Sequence, residues 1–144
     1  MFKKMLSAFG LTKAQREEVQ REINLYEALK AHTDWKKRLM EYLDGRSDEV
    51  LHPHEICVDN RCALGKWIHG PGKARFGEQP LFLNLVEEHA KFHYQASKVV
   101  EAHQAGKAAL ALQILSQDFA EQSRKTVSSL SKLNAIVEGT EPEA

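Results

Sequence analysis

The chain has 144 residues, in which 20 Lys and Arg balance 20 Asp and Glu, so the formal net charge is zero with neutral histidines. This balance gives no basic field that would attract nucleic acid or acidic lipid over a distance. Hydrophobic residues make up 42%, enough for one domain with its own core. No apolar run approaches the roughly 20 residues that span a bilayer.

The first 13 residues are predicted to be an N-terminal extension. Its apolar stretch is too short and too interrupted for a signal peptide. The apolar side chains would share one face of a helix, which favours a packing helix over a membrane anchor: Phe2, Met5, Leu6 and Phe9. With no export signal and only two cysteines, Cys57 and Cys62, we expect a cytoplasmic protein whose thiols are free or metal-bound.

Apolar residues at helical spacing predict a long first helix from about Thr12 to Asp44. Thr12 and Gln15 form a candidate capping box at its start, and Gly45 supplies the stop. The polar stretch that follows, residues 46–61, predicts a loop with room for one short turn.

Three further helices are predicted in the rest of the chain. A short one lies around Arg61 to His69 and ends at Gly70-Pro71-Gly72. Pro80 opens the second long helix, and Gly106 breaks it. The third long helix runs from about Lys107 to Val137.

The predicted fold class is all-α. We expect an antiparallel domain like a four-helix bundle, with three long helices and one short helix, because no segment keeps the period of a strand. The domain is predicted to cover residues 14–138, followed by a polar C-terminal tail at 139–144.

Two histidines lie one helical turn apart in the stretch HAKFH, on the apolar stripe of the second long helix. His89 and His93 therefore project from one face, close enough to bind one ion. His32, in AHTDWKKRL, lies on the inward line of the first helix, and Cys62, in NRCALGKW, starts the short helix, where the dipole favours a thiolate. Three imidazoles and one thiolate would complete a tetrahedral zinc set.

Simpler interpretations of these residues remain open at this point. A single inward histidine is more often a hydrogen-bonded core residue than a ligand, and a buried cysteine is often a small hydrophobe. The other four histidines are interpreted in this way, as surface or loop residues: His52, His54, His69 and His103.

Three sequence blocks in order, AHTDWK, CALGKW and HAKFH, resemble the chemoreceptor zinc-binding domain family over roughly residues 18–135. The resemblance implies a zinc ion held by His32, Cys62, His89 and His93 between the helices of a bundle, and a homodimer. Such domains are usually attached to a chemoreceptor or a diguanylate cyclase, and this sequence contains neither a signalling hairpin nor a catalytic domain. We therefore expect a free-standing member that signals in trans to such a partner, in chemotaxis or cyclic-di-GMP pathways.

A closed set of four ligands predicts a sensory or structural site rather than an enzyme. A metalloprotease needs a glutamate directly after the first histidine, where this chain has Ala90, and a di-iron bundle needs more histidines and carboxylates. In the sensory hypothesis, Cys62 responds to an oxidant such as hypochlorous acid, as the resemblance implies, or the signal is zinc occupancy. A structural zinc adaptor is the alternative. Cys57 is a candidate resolving thiol, although a loop residue without a partner is the simpler interpretation.

Overall fold

The computed structural model describes residues 10–140, so the apolar N-terminal residues Phe2, Met5, Leu6 and Phe9 lie outside the described part. Within it the chain forms helices and no strand, which confirms the all-α class. The same part contains no helix that is both long enough and apolar enough to cross a bilayer. The helices are α1 Lys13–Glu22, α2 Leu25–Leu43, α3 Pro53–Ile56, α4 Ala63–Ile68, α5 Pro71–Phe76, α6 Pro80–Gln104, α7 Ala108–Ser116 and α8 Asp118–Glu138.

The first long helix was predicted as one element and is in fact two. Its capping box is present, because Thr12 Oγ1 accepts from the Gln15 amide at 3.1 Å and the Thr12 amide donates to Gln15 Oε1 at 2.8 Å. The backbone then becomes extended at Ile23, and the Asn24 side chain accepts from the Glu27 amide at 3.0 Å. Asparagine is among the strongest N-capping residues, so a new helix starts there.

The third long helix is also divided, into α7 and α8. The break lies at Gln117, whose φ of −117° and ψ of −86° are not helical. Just before it, Ser116 Oγ donates to the carbonyl oxygens of Leu112 at 2.9 Å and Gln113 at 3.3 Å. Such side-chain bonds compete with the helix ladder and bend or end helices.

Helix α5 was not predicted from the sequence. The stop at residues 70–72 is correct, but proline also suits the first position of a helix, and Pro71 starts α5 directly after α4. A Cβ added to Gly72 would lie 2.9 Å from the ring of Trp67. Glycine at this position therefore allows the two short helices to pack closely.

Helix α6 is the centre of the molecule and contacts α2, α3, α7 and α8. One buried cluster surrounds its N-terminal half and includes Trp67, Phe82 and Leu85. A second surrounds its C-terminal half and includes Phe92 and Phe119. Fully burying each such side chain stabilises the fold by roughly 1.5–3 kcal/mol. The two clusters fix α6 at both ends, and the candidate site lies where they meet.

Candidate metal centre

Three histidines and one cysteine bring their ligand atoms within 4.8 Å of one another: His32, Cys62, His89 and His93. The Nε2 atom of His89 lies 3.1 Å from that of His32 and 3.0 Å from that of His93. The Sγ atom of Cys62 lies 3.3 Å, 3.6 Å and 3.9 Å from the Nε2 atoms of His89, His93 and His32. A tetrahedral zinc ion would separate its nitrogen ligands by about 3.3 Å, and nitrogen from sulfur by about 3.6 Å. These five separations are thus within a few tenths of an ångström of that geometry.

Each residue is held at the site by its helix. His89 and His93 lie one turn apart on α6, as the spacing predicted, and His32 faces them from α2. Cys62 is the N-cap of α4, where its Sγ accepts from the Gly65 amide at 3.3 Å. The three histidines, expected to face inward, are all buried.

The outward nitrogen of each ring determines which nitrogen carries the proton. His32 Nδ1 lies 2.7 Å from the Ala28 carbonyl oxygen, and His93 Nδ1 lies 3.0 Å from that of Ile56. A carbonyl oxygen only accepts, so both Nδ1 atoms must donate. In the neutral ring, each Nε2 then carries a lone pair that points into the cluster.

Lone pairs that face each other without a donor between them are unfavourable in a buried place. If His89 carries its proton on Nε2, that proton and the thiol proton of Cys62 can each serve one of the two other Nε2 atoms. If it carries the proton on Nδ1, three Nε2 lone pairs share the one thiol proton. His89 adds to the imbalance, because its Nδ1 is buried and has no hydrogen-bond partner among the described residues. A bound cation would satisfy all the inward lone pairs together, so the donor set fits a divalent metal of the zinc type.

Burial sets the protonation of the histidines. It lowers the pKa of His89 to about 2, with help from the neighbouring rings of His93 and His32. It also lowers the pKa of His93 to about 4, and the pKa of His32 falls for the same reason. The three rings are therefore neutral at neutral pH, which is the form that binds metals.

The start of α4 favours the Cys62 thiolate, as predicted, but this effect is smaller than that of burial. Backbone amides of that turn do lower the pKa of the thiol, but burial outweighs them and the net change is upward. Without a cation the residue is a thiol at neutral pH, and the charge of a metal is what would release the proton.

Cys62 is the most accessible of the four residues. A cleft of about 250 Å³ is lined in part by Cys62 and His93. Its other walls come from α2, from the loop before α3, and from the segment between α3 and α4, and include Trp35, Arg38 and Arg61. Cys62 therefore borders a cleft of a size that small molecules can enter.

The remaining histidines and the second cysteine lie outside the cluster. His52, His54 and His69 are exposed and His103 is half-buried, close to the prediction. Cys57 is also exposed, and its Sγ lies 3.5 Å from the carbonyl oxygen of His54.

Sequence reasoning missed one charged residue beside the site. Asp59 Oδ2 lies 3.6 Å from His89 Nδ1 and 3.0 Å from His69 Nε2. The only signal in the sequence was an acidic residue three positions before Cys62. Such a spacing in a loop is not specific enough to predict a contact.

Comparison with known families agrees with this geometry. Residues 32–100 match the model of the chemoreceptor zinc-binding domain, a range that begins at His32 and includes the other three residues of the cluster. The matched range is shorter than the range 18–135 over which the sequence resembles the family, and it omits α1, α7 and α8. Comparisons with curated proteins and with solved structures found no match.

Proposed function

Because the chain carries a chemoreceptor zinc-binding domain over residues 32–100, we propose that it is a cytoplasmic zinc-binding regulatory protein. His32, Cys62, His89 and His93 would hold one zinc ion. The observation that carries the proposal is the buried meeting of three imidazole Nε2 atoms and a thiol, in which neither tautomer of His89 satisfies every polar atom. Zinc is a cation that can accept the inward lone pairs, and it binds mixed nitrogen and sulfur ligands in tetrahedral geometry.

The proposed signal acts on the sulfur of Cys62. In the reaction with hypochlorous acid, the thiolate sulfur gains the oxygen and the proton, and chloride leaves. Sulfur is oxidised by two electrons, chlorine is reduced by two, and the product is a sulfenic acid. A sulfenic acid is a weaker ligand than a thiolate, so oxidation would loosen the zinc site. A change in zinc occupancy without oxidation is the other form that the signal would take.

Helix α4 offers a path from the site to the surface. It starts at Cys62, and near its other end the indole Nε1 of Trp67 donates to Glu22 Oε1 on α1 at 3.1 Å. Movement of the sulfur would therefore reach α1. In our proposal a chemoreceptor or a diguanylate cyclase receives the signal in trans from a homodimer, and the exposed Leu83 and Tyr94 on α6 offer an apolar surface for contact.

A structural zinc adaptor is the second candidate. It is favoured by the anchoring of His32 and His93 to backbone carbonyl oxygens, because such rings are rigid. We propose no catalytic activity in either case, since four protein ligands leave no coordination position for a substrate.

Zinc analysis of purified protein tests the proposal. We expect one zinc per chain in the wild type and in Cys57→Ser, and little in Cys62→Ser. Full zinc content in Cys62→Ser would overturn the assignment of the ligands. The Cys57→Ser protein is the matched control, because it also loses one thiol.

The sensory form of the proposal needs a second measurement. One equivalent of hypochlorite is added to the zinc-loaded protein, and zinc release is followed with a colorimetric chelator together with tryptophan fluorescence. We expect release in wild type and in Cys57→Ser. Zinc that stays bound, with unchanged fluorescence, would favour the structural adaptor.

A further inference from the structure

We propose that Asp59 is a positioning residue of the metal centre, whose carboxylate fixes the ring of His89 and balances the charge of the bound cation. The inference rests on the proposed zinc function. It concerns a residue outside the four ligands, on the loop between α3 and α4.

Asp59 lies between a buried ring and an exposed ring. Its Oδ2 atom is 3.6 Å from Nδ1 of His89, whose side chain is fully buried, and 3.0 Å from Nε2 of His69, whose side chain is 42% exposed. One carboxylate oxygen has lone pairs for two donors. The chain of groups therefore runs from the metal centre through His89 and Asp59 to a histidine at the surface.

The loop that carries Asp59 is held against α4 by a glycine. A Cβ added to Gly65 would lie 1.7 Å from the carbonyl oxygen of Asp59, so no other residue fits without moving the loop. The close approach of this glycine to the loop thus has a specific use. It places the Asp59 carboxylate beside His89.

His89 needs such a partner more than the other two rings do. His32 and His93 are already anchored by backbone carbonyl oxygens at 2.7 Å and 3.0 Å. The Nδ1 atom of His89 has no hydrogen bond, and it is a buried atom. At 3.6 Å the Asp59 oxygen is just beyond hydrogen-bond length. A movement of about half an ångström would complete the bond, and polar contacts in metal-free or ligand-free sites often tighten in this way.

Two physical effects follow from the contact. A carboxylate that accepts from Nδ1 fixes the tautomer and the orientation of the ring, and it makes Nε2 a stronger ligand. It also completes the charge balance of a buried site. A divalent cation and one thiolate leave one positive charge, which the Asp59 carboxylate neutralises at close range.

The test compares the zinc dissociation constants of two variants by chelator competition. Asp59→Asn keeps the shape of the side chain and one acceptor but removes the charge. We expect zinc to bind about 10–100-fold more weakly, the usual cost of losing such a partner. Asp34→Asn is the matched control, since the Asp34 side chain is 49% exposed and its carboxylate pairs with Lys30 at 3.1 Å. We expect a change of less than about 2-fold in this control.

Two further readouts separate positioning from a general structural role. In wild-type zinc-bound protein we expect a slowly exchanging, downfield Nδ1 proton resonance for His89 in the NMR spectrum. It should move upfield or vanish in Asp59→Asn. We also expect urea unfolding of the metal-free protein to differ little between the two, so that the loss appears only with zinc.

Each outcome is decisive for a different statement. A wild type that binds zinc, with an Asp59→Asn variant that binds it as tightly, would overturn the role of Asp59 and leave the zinc proposal intact. The substitution Asp59→Asn could instead lower the free energy of unfolding of the metal-free protein by as much as it lowers the free energy of zinc binding. Asp59 would then serve the fold alone, which also overturns the inference. A wild type with no affinity for zinc would overturn the proposed function itself.

Discussion

Two buried polar clusters lie on different sides of helix α6. One contains Glu88 and the other contains the next residue, His89. On one side, Gln122 Nε2 donates to Glu88 Oε2 and to the Glu88 carbonyl oxygen, both at 3.1 Å. Thr126 Oγ1 also lies 3.0 Å from that carbonyl oxygen and 2.9 Å from the carbonyl oxygen of Gln122. On the other side, His89 belongs to the group of facing lone pairs at the metal centre.

The difference between the clusters lies in the balance of donors and acceptors. Both are buried and both contain several polar side chains. In the Glu88 cluster every donor has a protein acceptor, so it fastens α8 to α6 and needs no ligand. In the His89 cluster neither tautomer of His89 satisfies every ring nitrogen, and burial makes such an unsatisfied atom costly. A buried polar group therefore indicates a binding site only when the protein itself leaves it unsatisfied.

Replacing the ring of His89 should have the largest effect, because it removes the central unsatisfied group of the His89 cluster. In His89→Leu we expect zinc affinity to fall by more than about 100-fold, beyond the loss typical of an outer partner. The metal-free protein should gain about 1–2 kcal/mol in the free energy of unfolding, because a buried unsatisfied group is replaced by an apolar one of similar size. Chelator competition and urea unfolding measure the two quantities.

His103→Leu is the control for this substitution. His103 lies on the same helix but outside the cluster, where its ring contacts Tyr42 with centroids 5.0 Å apart. We expect its zinc affinity to equal that of the wild type. If His89→Leu lowered the stability of the metal-free protein instead, the cluster would be a satisfied core element and the contrast would fail.

The four residues of the metal centre could be predicted from the sequence, whereas the ends of several helices could not. His89 and His93 were found because a spacing of four residues places two side chains on one helix face. Cys62 and His32 depended on recognising blocks of a family, since no local rule relates residues thirty positions apart. The family blocks also include Gly65, which packs closely against the loop between α3 and α4.

The errors concern breaks between helices. Apolar periodicity continues across Ile23 and Gln117, so a pattern read over a long window hides the interruption. The N-cap of α2 at Asn24 was not predicted from the sequence. Asp59 was missed for another reason: its contact depends on the course of a loop, and that course depends on packing against α4.

Acid should distinguish the two clusters in the metal-free protein. Burial lowers the pKa of His89 to about 2 and that of His93 to about 4, from 6.5 in the unfolded chain. Below pH 6.5 the unfolded chain therefore binds more protons than the folded one, so the free energy of unfolding falls as the pH falls. The full slope of about 1.4 kcal/mol per pH unit for each ring is reached only well below pH 6.5. Between pH 7.5 and 5.5 each ring therefore contributes about 1.4 kcal/mol in all, and the two rings together about 2–3 kcal/mol.

Urea unfolding at several pH values measures this slope. The His89→Leu protein should show a shallower dependence, because one of the titrating rings is gone. Equal slopes in the two proteins would mean that His89 does not resist protonation, contrary to the structure.

The smallest expected effect comes from the satisfied cluster. In Thr126→Val the shape of the side chain is kept and its hydroxyl is lost, while Gln122 still donates to the Glu88 carbonyl oxygen. We therefore expect a loss of about 1 kcal/mol in the free energy of unfolding and a change of less than about 3-fold in zinc affinity.

Thr33→Val is the matched control, since Thr33 Oγ1 donates to the Leu29 carbonyl oxygen at 2.9 Å on an exposed face. That substitution should be nearly neutral. A large fall in zinc affinity in Thr126→Val alone would show that the two sides of α6 are coupled, and that the Glu88 cluster supports the metal centre as well as the packing of α8.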